Sequence, residues 1–131
     1  MNFNNFTIKS QEAVQQAIDL VQSKGQQVVE TPHLMKGILL KGEDVTQFLL
    51  GKLGVNTTVL QAVIDTLIDG FPRVSGGEPY LSRETNNVLQ KAIDKSSKAG
   101  DQFVSLEYIL LALAIEKNQL TKVLHDAGIT E

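Results

Sequence analysis

Apolar residues recur at three- and four-residue steps along most of the chain, which is the spacing of amphipathic helices. The first stretch with this pattern runs from Thr7 to about Lys24, and glutamine and aspartate side chains occupy its opposite face. Its apolar face is formed by Val14, Ala17, Ile18 and Val21. The helical pattern is interrupted for about ten residues by the glycine- and proline-rich segment 70–79, GFPRVSGGEP. The pattern therefore predicts an all-α protein.

Two short stretches are apolar enough to be helices with neighbours on most sides. They are TPHLMKGILL at 31–40 and LEYILLALAI at 106–115, which begin 75 positions apart. We expect their apolar positions to meet at the centre of the fold, and these positions are Leu34, Met35, Ile38, Ile109, Leu110 and Leu113.

The same offset of 75 relates other signals along the chain, so the sequence contains an internal repeat. Ser82 takes the place of Thr7, and Gly100 takes the place of Gly25. After one deletion the offset becomes 74, and it then pairs Gly128 with Gly54. We interpret the chain as a single domain, 1–131, with repeat one at about 3–69, a connector at 70–80 and repeat two at about 81–131.

The repeat predicts seven helices, four and then three, packed about a pseudo-twofold axis. At offset 74, Thr130 corresponds to Asn56, which precedes the fourth helix of repeat one. Repeat two is therefore expected to be truncated before its fourth helix. Side-chain caps are expected where helices start. The predicted caps are Thr7, Thr31, Asp44, Asn56 and Ser82.

Composition narrows the range of functions. The 131 residues are 42% hydrophobic and 21% charged, which suits one globular core. No apolar run is long enough for a membrane span and no secretion signal is evident, so we expect a cytoplasmic location. A net charge of −3 without a basic cluster argues against nucleic acid or membranes as partners. With no cysteine, the chain has neither disulfides nor thiolate metal sites.

Few residues suggest catalysis or metal binding. The two histidines, His33 and His125, lie in different repeats without metal-ligand spacing, so we expect structural or surface roles for both. The acidic residues before and at the start of the second central helix, Asp101 and Glu107, have two interpretations. They cap the helix, or they form the rim of an apolar groove. The groove would be formed by Ala13 and Leu89 on the first helix of each copy, with Tyr108 at its edge. Apolar residues at such positions belong to the core more often than to a binding surface.

The two copies resemble a known family. TPHLMKGIL follows SKGQQVVE in one copy, and SLEYILLAL follows KAGDQFV in the other. This duplicated helix set resembles the Clp amino-terminal repeat domain, which precedes the ATPase modules of AAA+ unfoldases. The ETPHLM turn and the GDQFVSLEY segment are most similar to the ClpB-type disaggregases. The ClpC and ClpA branches typically have a Thr-Glu-His turn in the first copy, where this chain has Pro32.

The resemblance implies a non-enzymatic domain that captures unfolded or aggregated polypeptide for threading by an ATPase ring. Polypeptide-binding positions carried over from the family are Thr7, Asp101 and Glu107, beside the groove near Ala13, Leu89 and Tyr108. The segment itself needs no cofactor, whereas the full-length protein would use ATP and magnesium. A DnaK-type co-chaperone and a hexameric ring are implied for the full-length protein, and the isolated domain is expected to be a monomer.

Two alternatives stay open at this point. One is an adaptor-docking domain of a ClpC- or ClpA-type unfoldase that serves a protease. A ClpC-like domain would read phosphorylated arginine through an acidic residue in both copies, and Pro32 weakens that reading because only Glu107 is acidic. The other alternative is a free-standing helical repeat protein without an ATPase.

Overall fold

The computed structural model describes residues 2–129, and helices dominate it. In chain order the elements are α1 (Ile8–Ser23), β1 (Val28–Val29), α2 (Thr31–Lys41), α3 (Glu43–Lys52), α4 (Thr57–Asp69), β2 (Tyr80–Leu81), α5 (Arg83–Lys98), α6 (Leu106–Ile115) and α7 (Thr121–Asp126). The described part thus has the seven helices that the sequence predicts. The short strands were not predicted, because two-residue strands leave no periodicity to detect.

The two repeats cross-connect through equivalent backbone pairs, which gives the fold its pseudo-twofold arrangement. β1 and β2 pair in parallel, with Val29 opposite Leu81. An isolated parallel bridge joins Phe6 to Val104, and these residues are the 75-position counterparts of Leu81 and Val29. Each extended segment that leads into the first helix of one repeat therefore pairs with the segment before the central helix of the other repeat.

The central helices α2 and α6 lie at the core, as the sequence predicts. All six residues expected at the centre are at most 5% exposed. They belong to one apolar cluster that also includes the inner faces of α1, α4 and α5. Burial of this apolar surface is the main favourable term for such a domain.

α1 and α2 pack unusually closely because a glycine lies at their contact. A Cβ atom built on Gly37 would overlap the carbonyl oxygen of Ala13, in the facing turn of α1. Any side chain at this position would therefore push the two helices apart. The absence of a side chain here is a packing requirement.

Three of the predicted helix caps are confirmed and two are wrong. The side chains of Thr7, Asn56 and Ser82 accept hydrogen bonds from backbone N–H groups in the first turns of α1, α4 and α5. Thr31 instead lies inside α2, where its hydroxyl is buried without a hydrogen-bond partner among the described residues. Asp44 lies in the first turn of α3, after Gly42 at the cap position.

Candidate functional site

The start of α1, which carries Thr7, lies beside the segment that precedes α6. The Thr7 N–H donates to the carbonyl oxygen of Val104 over 3.1 Å. The Thr7 hydroxyl oxygen accepts from the Ser10 N–H at 3.1 Å, and the two hydroxyls lie 2.9 Å apart. Thr7 is half-buried, so its groups serve the helix start first.

Glu107 is exposed in the first turn of α6, where its charge interacts favourably with the helix N-terminus. The Ser105 hydroxyl donates to its carboxylate over 2.6 Å. Ser105 is the cap residue of α6, yet its side chain accepts no N–H group from the helix. Glu107 also lines two surface grooves.

Asp101 and Tyr108 form a polar pair beside Glu107. The Tyr108 hydroxyl donates a hydrogen bond to the Asp101 carboxylate. This hydrogen bond raises the pKa of Tyr108, and desolvation and the charges of Asp101 and Glu107 raise it further. Asp101 is exposed and Tyr108 is half-buried, so the pair lies at the surface.

Ala13 and Leu89 do not line a surface groove, and this correction removes two residues from the predicted site. Both side chains are 0% exposed and belong to the core cluster. A side chain without solvent-accessible surface cannot contact an incoming polypeptide. Helical periodicity identifies an apolar face but does not show whether another helix covers it.

An open groove instead lies between the start of α6 and α3. This Phe48 groove is lined by Asp44, Val45, Phe48, Leu49 and Glu107, with a volume of about 470 Å³. Phe48 is 61% exposed, an unusual state for a phenylalanine side chain. The sequence signal was present, because Val45, Phe48 and Leu49 share one helical face. Nothing in that pattern shows that the face is left open.

A second groove, the α3–α6 groove, continues from Glu107 along the two helices. It has a volume of about 380 Å³, and nearly all its lining is apolar. The lining residues are Leu49, Lys52, Leu53, Glu107, Tyr108, Leu110, Leu111, Ala114 and Ile129. Tyr108 thus lines a groove, but a different one from the groove with Ala13 and Leu89 that the sequence predicts.

His33 is fully buried and performs a structural role. Its Nδ1 accepts the Glu30 N–H over 2.9 Å, which satisfies a backbone donor at the start of α2. Its Nε2 therefore carries the proton and donates to the Gln26 amide oxygen over 2.7 Å. The Gln26 amide nitrogen in turn donates to the carbonyl oxygen of Ile68, also over 2.7 Å. This chain of bonds joins α2 to the end of α4.

Burial lowers the pKa of His33 from 6.5 to about 4, and the nearby charge of Lys24 also lowers it. The unfolded chain therefore binds more protons than the folded chain below pH 6.5, so stability falls as the pH falls from 6.5 towards 4. We expect the free energy of unfolding to drop by about 2 kcal/mol between pH 7 and pH 5.

Urea unfolding at the two pH values measures this drop. The matched variant His33→Gln should lose this fall in stability, because most carboxylates titrate below the window and Glu30, whose pKa is raised by burial, acts in the opposite direction. An equal drop in the variant would show that another group is responsible.

Similarity to known proteins shows which family the chain belongs to. The family model described as the Clp repeat (R) N-terminal domain matches residues 5–127. The chain belongs to this family. The match spans both repeats and confirms the resemblance that the duplicated motifs indicate.

Among the relatives of this Clp repeat N-terminal domain, chaperone proteins named ClpB are the most informative. The ClpB of Bacteroides thetaiotaomicron is 58% identical over 131 residues, which are 100% of this chain and 15% of the relative. The ClpB of Porphyromonas gingivalis is 50% identical, with the same two coverages. The domain is thus of the ClpB type, and it spans 15% of the length of these relatives.

Solved structures confirm the fold of the Clp repeat N-terminal domain. The Hsp104 N-terminal domain from Candida albicans superposes with a TM-score of 0.85 at 17% identity, over 97% of this chain and 84% of the other. The N-terminal domain of ClpV1 from E. coli gives a TM-score of 0.82 at 20% identity, over 93% and 78%. At these low sequence identities, the similarity shows a shared fold and nothing about function.

The described part of the chain, residues 2–129, contains no group of three or more metal-ligating side chains that lie together. None of its helices combines the length and the apolar character that a membrane crossing needs.

Proposed function

We propose that this domain captures exposed apolar segments of unfolded or aggregated polypeptide for a ClpB-type AAA+ chaperone. The observation that carries the proposal is the Phe48 groove, where a 61% exposed phenylalanine lies beside the carboxylates of Asp44 and Glu107. In the full-length protein, ATPase modules would use ATP and magnesium to thread the captured polypeptide.

The groove has the physical character that a first-contact site needs. Its apolar side chains can bind any client whose normally buried apolar residues are exposed, because binding removes these residues from water. This attraction is not directional. Its two carboxylates favour clients with lysine or arginine near the apolar segment, and exposed pairs of this kind are worth only about 1 kcal/mol or less. Binding should therefore be weak and broad, which permits release to the ATPase ring.

The adaptor-docking alternative receives less support from the first repeat. A reader of phosphorylated arginine with one carboxylate in each copy needs an exposed acidic residue at both equivalent positions. Glu107 is exposed in repeat two, but its counterpart Pro32 is buried in repeat one. The two-carboxylate arrangement is thus not formed.

Phe48→Ser is expected to weaken binding of fluorescently labelled casein, an unfolded model client, by about fivefold or more. Removal of an exposed aromatic anchor at an interface commonly costs about 1 to 2 kcal/mol, and 1.4 kcal/mol corresponds to a tenfold change. Because Phe48 is largely exposed, the domain should remain folded. Fluorescence anisotropy measures the binding, and circular dichroism checks the fold.

Tyr80→Ser is the matched control, because Tyr80 is also an aromatic residue and is 55% exposed, but it lies on β2 outside the groove. Its casein binding should equal that of the unchanged domain. Equal losses in both variants, or no loss in Phe48→Ser, would contradict the assignment of the groove.

A further inference from the structure

The phenylalanine of the Phe48 groove has a lysine against its ring. The Lys52 ammonium lies over the ring, 4.8 Å from its centroid. The two residues are one helical turn apart on α3. Side chains of a helix lean towards its N-terminus, so the stem of Lys52 extends back over the turn that carries Phe48. A cation at this distance is attracted by the negative face of an aromatic ring.

Lys52 makes this contact although a carboxylate lies nearby. Glu107 lines the α3–α6 groove together with Lys52. Among residues 2–129, however, the Lys52 ammonium forms no ion pair. Lys52 also lies in the last turn of α3, where a cation complements the helix dipole. The ring and the helix end thus hold the ammonium beside Phe48.

The lysine leaves the groove side of the ring open. Phe48, Asp44 and Glu107 line the Phe48 groove. Lys52 does not line it and borders the α3–α6 groove instead. The lysine and a bound client can therefore contact the ring at the same time.

Immobilisation of the ring before binding strengthens a complex. An exposed side chain loses rotational freedom when a partner packs against it, and this loss of entropy weakens the complex. Phe48 is such a side chain, because it is 61% exposed. The Lys52 contact restricts the ring in the free domain, so less entropy remains to be lost when a client binds.

We propose that Lys52 is a positioning residue for client capture, which holds the Phe48 ring in the orientation that the groove uses. It acts through Phe48 and does not itself contact the client. This inference rests on the proposed function of the Phe48 groove, and its test is designed so that the two can fail separately.

The test measures binding of labelled casein to variants of the 131-residue chain. Lys52→Gln removes the cation and keeps a good helix former, so it should weaken binding by about two- to fivefold, which corresponds to about 0.4 to 1 kcal/mol. Lys52→Arg should bind casein as the unchanged domain does, because a guanidinium group also stacks on an aromatic face.

Lys41→Gln is the matched control for the loss of charge. Lys41 is exposed and lines a cleft that shares Asp44 and Val45 with the Phe48 groove. It removes the same charge beside the groove without a contact to the ring. Its casein binding should equal that of the unchanged domain.

Two further measurements separate positioning from a general effect on α3. The double variant Phe48→Ser/Lys52→Gln should bind casein no more weakly than Phe48→Ser alone, because Lys52 acts only through the ring. In NMR spectra, the ring should move the ε-methylene proton resonances of Lys52 upfield of those of Lys41. Phe48→Ser should abolish that shift.

Three results would overturn the positioning role. The first is normal binding in Lys52→Gln while Phe48→Ser binds weakly, which would leave the groove assignment intact. The second is an equal loss in Lys52→Gln and Lys41→Gln, because charge alone would then explain the effect. The third is normal binding in Phe48→Ser, which would contradict the proposed function of the groove as well.

Discussion

Gly37→Ala is expected to lower the free energy of unfolding by about 2 kcal/mol or more, although alanine is the better helix former. In an exposed helix this change would stabilise by about 1 kcal/mol. At Gly37, however, the new methyl group would overlap the Ala13 carbonyl oxygen. Backbone atoms cannot rotate away as side chains do, so α1 and α2 must separate, and overpacking of this kind costs about 1 to 3 kcal/mol or more.

The matched control is Gly51→Ala, because Gly51 also lies within a helix, α3, and a Cβ atom there meets no atom within 4 Å. This variant should be unchanged or more stable by up to about 1 kcal/mol. Urea unfolding followed by circular dichroism measures both. Stabilisation of both variants would show that the α1–α2 contact can relax without cost.

Leu89→Asp is expected to unfold the domain, and this has the largest effect of the predicted changes. Leu89 is 0% exposed in the centre of α5. Truncation of a buried leucine to alanine already costs about 2 to 5 kcal/mol. A carboxylate without a partner adds a desolvation penalty of several kcal/mol, and the sum is comparable to the whole stability of a typical domain, about 5 to 15 kcal/mol.

Two controls separate burial from charge. Leu89→Met keeps the volume and the apolar character, so it should cost less than about 1.5 kcal/mol. Val59→Asp introduces the same charge at a 57% exposed position in the first turn of α4, where a carboxylate suits the helix dipole. A folded Leu89→Asp variant with normal circular dichroism would show that Leu89 is accessible after all, as the sequence interpretation assumed.

Local signals in the sequence were sufficient to predict most of the helices of the fold. The hydroxyl of Thr7 and the glycine at position 25 mark the ends of α1 through short-range chemistry, namely a cap and a positive φ of 68°. The repeat then transfers the same signals to α5, which begins after Ser82. The prediction of Thr31 as a cap is wrong because the Thr-Pro pair has the sequence of a cap followed by the first helical residue. In the structure Thr31 is itself the first residue of α2, Glu30 is the cap residue, and the Glu30 N–H donates to His33.

The residues of the candidate site were also predicted only in part from the sequence. The family resemblance suggests Thr7, Asp101, Glu107 and Tyr108 as site residues, and in the structure the Phe6–Val104 bridge joins the two segments that carry them. The sequence interpretation misplaced Ala13 and Leu89, which are buried, and it missed Phe48, which is exposed.

The sequence by itself determined the helices, their duplication and the apolar centre, because caps, glycines and periodicity act within a few residues of the chain. Only the tertiary structure decided which apolar faces are covered. Leu89 and Phe48 both lie on apolar helical faces, yet their exposed fractions are 0% and 61%. That difference depends on which distant helix packs against each face, and no local pattern contains this information. The site of a binding domain is an uncovered face, so its location becomes visible only when the helices are assembled.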